Sequence, residues 1–200
     1  MTAPPTVPAD PADLPGLAQV LADAFDDLPP SRWLIADDAD RERIFPGYFR
    51  LLLDAAMAGG LVMTTPSRDA AALWIPSAAA PLPDYDNRLA ALAGRYLGRC
   101  RQFDLLMKEH HPAGQSHDWL AIIGTRPDRQ GSGAGSALLA ARHRDLDRQR
   151  RGAYLEAATE RARRLYLRHG YSDLGDPIEL PAGPPMYPMW RDPREPGARQ

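Results

Sequence analysis

The sequence is poor in cysteine and in lysine, and it has no long apolar run. Cys100 is the only cysteine of the 200 residues, and Lys108 is the only lysine. A single cysteine excludes an intrachain disulfide and a cysteine-based metal framework, so we expect a reducing, cytoplasmic location. No apolar run approaches the roughly 18 residues that a membrane helix needs. The opening residues, MTAPPTVPADPAD, lack the basic and apolar regions of a secretion signal.

The charges are nearly balanced, which argues against a nucleic-acid partner. The formal net charge is −2, with 44% hydrophobic and 25% charged residues, as in ordinary globular proteins. This length suits one domain with its own core. We predict a flexible N-terminus over residues 1–11, a single domain over 12–192 and a flexible tail over 193–200.

The first half of the chain is typical of helices. Apolar residues recur every three or four positions, and prolines and glycines separate the runs. We expect Pro29 and Pro30 to stop the first helix, and Pro46 to split or kink the second. The predicted elements are helices to about residue 28, over 38–57 and over 87–110, with a strand hairpin at 61–65 and 70–75.

The second half alternates strands and helices. A buried strand over 119–125 is followed by a glycine-rich turn and a helix. A second buried strand over 153–159 and a helix over 160–168 follow. Two last strands are predicted over 171–180 and 185–190. This order favours an α/β fold with a mixed sheet and helices on both faces.

The glycine-rich turn indicates an anion site. Gly131, Gly133 and Gly135 stand at every second position just before the helix. Such a turn directs backbone N–H groups into one concavity, and the helix adds the positive end of its dipole. The spacing lacks the lysine of a P-loop and the G-x-G-x-x-G of a dinucleotide fold. A tight turn without a ligand is the alternative.

Two motifs resemble the GCN5-related N-acetyltransferases (GNAT). Gln130, Gly133 and Gly135 match the Q-x-x-G-x-G with which that family holds the diphosphate of acetyl-CoA. Further on, Leu165-Tyr166 and Gly170-Tyr171 match its short helix ending in Leu-Tyr-x-x-x-Gly-Phe. The resemblance is closest to the puromycin N-acetyltransferase group of actinomycetes. The resemblance to this group rests on residues 127–133, 155–156 and 179–184.

The resemblance implies a GNAT fold, with a mixed, mostly antiparallel sheet in which two central parallel strands splay apart. It also implies an acetyl-CoA site. Separately, the spacing of His110, His111 and His117 matches no common metal site, so we expect no metal. Backbone groups of one strand would pair with the pantetheine arm, and amides of the turn would hold the diphosphate. The implied contacts are Ile123, Gly124, Thr125, Gln130, Gly131, Ser132, Gly133, Ala134, Gly135 and Ser136.

Three residues are candidates for acid–base chemistry. By its motif position, Tyr166 would protonate the leaving sulfur, since a phenol keeps its proton at neutral pH; the alternative is plain packing. Glu156, in a predicted buried strand, could act as the base if burial raises its pKa; it could instead pair with an arginine. His117 titrates in the right range, and a water chain could replace both.

The acceptor is predicted to be an amine of a small molecule, such as an antibiotic or a biosynthetic intermediate. Phe25, Trp33, Tyr48 and Trp119 are candidate walls of its pocket. Two alternatives stay open: a transferase using another acyl donor, on CoA, a carrier protein or tRNA, and a non-catalytic acyl-CoA-binding protein. We expect no membrane partner and a monomer or homodimer.

Two departures from the family pattern bear on this prediction. Ala162 stands where the family often has an asparagine near the cofactor, and Leu28 stands where the puromycin enzyme has an aromatic near its substrate. The first puts one polar cofactor contact in doubt. The second argues against puromycin as the acceptor.

Overall fold

The computed structural model describes residues 4–194. Its α-helices are α1 (Leu14–Phe25), α2 (Pro29–Leu34), α3 (Asp38–Gly59), α4 (Tyr85–Ala93), α5 (Leu97–His110), α6 (Ala134–Gln149) and α7 (Glu160–Arg168). Its strands are β1 (Val7–Pro8), β2 (Leu61–Thr64), β3 (Ala70–Pro76), β4 (His117–Thr125), β5 (Gly152–Ala157), β6 (Ser172–Asp173), β7 (Ile178–Glu179) and β8 (Pro185–Arg191). Short 3-10 turns cover Pro11–Asp13, Gly94–Tyr96 and Pro127–Arg129.

One mixed sheet organises the fold. Its strands lie in the order β1-β2-β3-β4-β5-β8-β6, and β7 pairs with β8. Only β4 and β5 pair in parallel; the other pairs are antiparallel. Apolar clusters cover both faces, one built from α1, α3 and α5 and the other from α6 and α7. The predicted α/β fold, with a mostly antiparallel mixed sheet between helices, is confirmed.

The core that fixes α1 and α3 against the sheet is made of leucines. Leu17, Leu21, Leu51 and Leu53 are fully buried between these helices and the sheet. Each such side chain contributes about 1.5–3 kcal/mol when it leaves water. They help to hold α1 against β4, where the candidate site lies, and α3 against β2 and β3.

Proline positions were wrongly interpreted in the sequence. Pro29 does not merely stop the first helix, which already ends at Phe25; it is the first residue of α2. A proline suits that position because its missing N–H would have no helical partner there. Pro46 lies inside α3, which runs unbroken to Gly59 because its buried face is held by the core.

Other boundaries also differ from the prediction. The helix expected over 87–110 is divided at Gly94, whose φ of 52° leaves the helical region. The strand expected over 171–180 is reduced to two short pieces, β6 and β7. Val7 and Pro8 lie in the predicted flexible N-terminus, yet they form β1 and pair with β2. Residues 1–3 and most of the predicted tail lie outside the described residues.

A membrane-crossing helix is not present in the described part of the chain. None of its helices combines the length and the apolar character that a bilayer span requires.

Candidate active site

The turn between β4 and α6 has the backbone that its glycines predict. Gly131 and Gly133 have φ values of 82° and 86°, which favour glycine because other residues have a Cβ that clashes there. Gly133 is the residue that caps α6. The turn therefore brings the chain from the end of a strand into the N-terminus of a sixteen-residue helix.

Several amides of this turn have no backbone acceptor. The N–H groups of Arg129, Gln130 and Ser132 donate to turn carbonyls at 2.9–3.3 Å. Among residues 130–136, the amides of Gly131, Gly133, Gly135 and Ser136 have no acceptor in the described part of the chain, whereas the Ala134 amide donates to Ser132 Oγ. Unpaired N–H groups at a helix N-terminus form a ready site for an anion such as a diphosphate. We refer to residues 130–136 as the cradle.

The polar side chains of the cradle form hydrogen bonds with other groups of the protein. The Gln130 amide nitrogen lies 3.4 Å from the Thr125 carbonyl, at the end of β4. Ser132 Oγ accepts from the Ala134 amide, and Ser136 Oγ lies 3.1 Å from His169 Nε2. These contacts leave the main chain of the cradle, rather than its side chains, as the donor surface.

The strands next to the cradle splay apart. β4 and β5 pair only at His117–Gly152, Asp118–Ala153 and Trp119–Tyr154. Beyond these pairs β4 continues to Thr125 and β5 to Ala157 without further pairing between them. The edge of β4 that faces β5 therefore carries unpaired backbone groups from Leu120 onward, while its other edge stays paired with β3.

A cavity of about 170 Å³ occupies the gap between the splayed strands. It brings together Phe25, Tyr48, Trp119, Glu156 and Tyr166, which were singled out from the sequence, and it also touches Ile123. Its lining comes from both faces of the sheet, since α1, α3 and α5 contribute on one side and α7 on the other.

Glu156 holds the one carboxylate of the cavity lining. Its Oε2 accepts a hydrogen bond of 2.8 Å from Trp119 Nε1. Its Oε1 is buried and has no hydrogen-bond partner among the described residues. Burial raises the pKa of the carboxyl to about 7, against which the hydrogen bond from Trp119 acts. Such a group exchanges a proton near neutral pH.

Tyr166 offers the cavity a protonated hydroxyl. The residue is buried on α7, and its ring packs edge-on against Tyr171, with centroids 5.8 Å apart. Burial alone raises the pKa of the phenol above its usual value, and no described side chain binds its hydroxyl. The hydroxyl therefore keeps its proton at neutral pH.

A family model described as an acetyltransferase (GNAT) domain matches residues 90–173, which include the splayed strands and the cradle. Over these residues the chain is similar to GNAT acetyltransferases. Together with the fold, the match supports an acyltransferase enzyme.

Solved GNAT structures resemble the whole chain. A structure titled histone acetyltransferase HPA2 and related acetyltransferase, from Corynebacterium glutamicum, matches with a TM-score of 0.71 and 28% identity, over 98% of this chain and 100% of that one. Arylalkylamine N-acetyltransferase 2 from Aedes aegypti matches with a TM-score of 0.64 and 12% identity, over 95% and 99%. A GCN5-related N-acetyltransferase from Rhodopseudomonas palustris matches with a TM-score of 0.58 and 12% identity, over 96% of this chain and 97% of that one. At 12% identity the last two show the GNAT fold alone. None of the three singles out the puromycin group, so that resemblance stays a prediction.

His117 does not line the cavity. It lies two residues before Trp119, at the paired end of β4, and is fully buried. Its Nδ1 is 2.7 Å from the Gln115 carbonyl oxygen, and its Nε2 is 3.0 Å from Nε2 of His111. Both ring nitrogens are thus engaged away from the cavity, and we withdraw His117 as a candidate base.

Trp33 is likewise outside the cavity lining. Its indole N–H donates to the Pro181 carbonyl at 2.9 Å. A Cβ at Gly183 would stand 2.4 Å from its ring. Trp33 therefore anchors the turn before β8 to α2, and that turn needs a glycine to fit against it.

Gly124 lies closely against α1. A Cβ there would meet Leu21 at 2.9 Å, and Ala24 and Phe25 at 3.2 Å. The packing of α1 therefore favours a glycine at this position, and its contact with a cofactor stays a prediction.

Part of the cavity wall was missed in the sequence. Phe45 and Phe49 lie on the same face of α3 as Tyr48, and Phe103 and Met107 come from α5. The three- and four-residue spacing around Tyr48 was a signal for the first two. Phe103 and Met107 are also four residues apart, so they share a face of α5, but the spacing does not show which part of the protein that face meets.

A metal site is not evident in the described part of the chain. No group of three or more histidine, cysteine or acidic side chains is arranged there to hold a metal ion.

Proposed function

We propose that the protein transfers an acetyl group from acetyl-CoA to an amine of a small molecule, by direct attack within a ternary complex. The observation that carries the proposal is the cavity at the splayed strands. It contains a carboxyl with a pKa of about 7, a protonated phenol and the open edge of β4. The antibiotic or biosynthetic nature of the acceptor belongs to the same proposal.

The cradle and β4 fit a nucleotide-linked thioester. The free amides of Gly131, Gly133, Gly135 and Ser136 would bind its diphosphate, and the unpaired backbone of Ile123 to Thr125 would bind the pantetheine arm. Acetyl-CoA supplies an activated acyl carbon. Holding both reactants in one orientation supplies much of the rate enhancement.

Glu156 would act as the general base. Trp119 holds Oε2 and thereby fixes the carboxylate plane, which leaves Oε1 for the acceptor. An ammonium group placed at Oε1 would give this oxygen the hydrogen-bond partner that it lacks. Because the carboxyl titrates near neutral pH, it can take the proton that the amine must lose before it attacks.

Tyr166 would act as the general acid. Tyr166 lines the cavity, and its hydroxyl is protonated and has no partner among the described side chains. It can therefore give its proton to the departing thiolate. The structure holds the phenol on α7 while the base lies on β5, so the two roles are carried by separate elements.

The test is a thiol-release assay with acetyl-CoA and a panel of primary amines. We expect amine-dependent release of free CoA, with the acetylated amine identified by mass spectrometry. Faster release from propionyl- or longer acyl-CoA would favour the alternative acyl donor. Tight CoA binding by calorimetry without transfer to any amine would favour a non-catalytic binding protein and contradict the proposal.

Two further properties stay predictions. The single cysteine is the basis of the expected cytoplasmic location, and a monomer or a homodimer is equally compatible with the fold.

A further inference from the structure

We propose that the acceptor is a compact apolar monoamine, about the size of a single-ring arylalkylamine, without a carboxylate or phosphate group. This inference rests on the proposed function and narrows its substrate class. It depends on three properties of the cavity: the chemistry of its walls, the charges around it and its volume.

The acceptor side of the cavity is aromatic. Its walls include Phe25, Phe45, Tyr48, Phe49, Phe103 and Trp119. The rings already pack together, since the Phe25 and Phe49 centroids are 5.1 Å apart and those of Phe45 and Phe49 are 5.4 Å apart. A ring or alkyl chain placed among them would add apolar burial and edge-to-face contacts.

The charged side chains of the cavity lining allow the acceptor one cationic group and no anionic group. Glu156 is the single acidic side chain of the lining, and no arginine, lysine or histidine of the described residues contributes to it. A carboxylate or phosphate on the acceptor would be buried without a partner, which is strongly unfavourable. A second ammonium group, as in a polyamine or an aminoglycoside, would also have no counter-charge. One ammonium beside Oε1 of Glu156 is the charge pattern that fits.

The volume limits the acceptor to a small molecule. The cavity measures about 170 Å³. An apolar cavity of about 150 Å³ holds a molecule of the size of benzene. The acceptor would share this space with the thioester end of acetyl-CoA, so the cavity suits a ring with a short amine arm better than a peptide or a nucleoside.

The matched test compares 2-phenylethylamine with L-phenylalanine, which differ by one carboxylate. We expect kcat/KM for 2-phenylethylamine to be at least about 100-fold higher, because the amino acid would bury an unpaired charge. Hexylamine should also be accepted, whereas spermidine and a short peptide should be poor. Equal or better rates with phenylalanine, spermidine or the peptide would overturn the inference while leaving the acetyltransferase proposal standing.

Binding measured without turnover separates the two proposals. Calorimetry on the CoA-loaded protein should show 2-phenylethylamine binding at least about 100-fold tighter than phenylalanine. If acetyl transfer fails with every amine but this preference holds, the proposed function is wrong and the pocket assignment stands. If neither compound binds, the pocket assignment is wrong.

A substitution at the cavity rim provides the reverse test. Leu28 is half-buried, lines the cavity and lies just before α2, so a longer polar side chain can be placed there. Leu28→Arg supplies the missing cation. We expect it to raise the ratio of kcat/KM for phenylalanine to kcat/KM for 2-phenylethylamine about 10-fold. Leu28→Gln is the uncharged control and should leave that ratio unchanged. An equal change in both variants would contradict the charge argument.

Discussion

At the residue scale, the two oxygens of the Glu156 carboxyl have different surroundings. Oε2 is held by the Trp119 indole at 2.8 Å, and Oε1 is buried without a partner. A buried polar atom without a partner is rare in a folded protein and asks for an explanation. The amine of an acceptor is the partner that the proposed function supplies.

Glu156→Gln tests the base. We expect kcat to fall by about 100- to 10,000-fold, as loss of a general base does. In the wild-type protein kcat should rise with pH through about 7, the pKa of the buried carboxyl, and then level off; this limb should vanish in the variant. Glu109→Gln, the same change at an exposed position on α5, is the control. An unchanged pH profile in Glu156→Gln would assign the base elsewhere.

The same carboxyl predicts a pH-dependent effect on stability. Its folded pKa of about 7 lies above the ordinary value of 4.5, so the folded protein retains a proton that the unfolded chain has lost between these pH values. The contribution of this group to the free energy of unfolding therefore falls as pH rises through that interval. Glu156→Gln should be more stable than wild type to urea at pH 8 and close to it at pH 4. A variant that is less stable at pH 8 would indicate that the carboxylate is stabilised by contacts we have not identified.

Tyr166→Phe tests the acid. We expect kcat to fall by about 10- to 100-fold, with little change in the affinity for acetyl-CoA, because only the proton donor is removed. Tyr171→Phe is the matched control: its hydroxyl is buried against His143 at 3.1 Å, outside the cavity lining, so the loss should be in stability and not in turnover. A wild-type kcat in Tyr166→Phe would leave packing as its only role.

At the scale of elements, the cradle is a property of the main chain and could be predicted from its glycines. Two of them need positive φ values, and the helix behind them follows from ordinary apolar spacing. The order of strands and helices after residue 116 was predictable for a similar reason, since each element has its own apolar pattern.

Elements whose limits depend on tertiary contacts could not be predicted. Pro46 interrupts the local helix signal, but the buried face of α3 holds the helix together. His117 and Trp119 share one face of β4, yet His117 lies one strand repeat, about 7 Å, farther from the open end. The point at which β4 and β5 stop pairing has no signature in the sequence. The bulge of β4 opposite Leu73 and Trp74 has none either.

Gly133→Glu tests the cradle as an element. A side chain at φ 86° is strained, and its carboxylate would repel the diphosphate at the helix N-terminus. We expect the affinity for CoA to be lost in calorimetry while the protein stays folded by circular dichroism. Gly98→Glu is the control, because Gly98 is exposed on α5 and has no neighbour within 4 Å of an added Cβ. Normal CoA affinity in Gly133→Glu would contradict the placement of the diphosphate.

At the scale of the whole molecule, the cavity joins two parts of the chain with different relations to known proteins. Glu156, Tyr166 and the cradle lie inside the GNAT match over residues 90–173, whereas Phe25, Phe45 and Tyr48 precede it. The residues proposed for acyl transfer therefore lie in the segment that resembles GNAT acetyltransferases. The aromatic acceptor wall belongs mainly to α1 and α3 of this chain, which is why its chemistry had to be read from the structure.

The most direct measurement is a crystal structure of the protein with coenzyme A. The account predicts diphosphate oxygens within hydrogen-bonding distance of the amides of Gly131, Gly133, Gly135 and Ser136, with the pantetheine arm along the open edge of β4 and the sulfur in the cavity beside Tyr166. Coenzyme A bound elsewhere, or a cradle filled by the protein's own side chains under saturating coenzyme A, would contradict it.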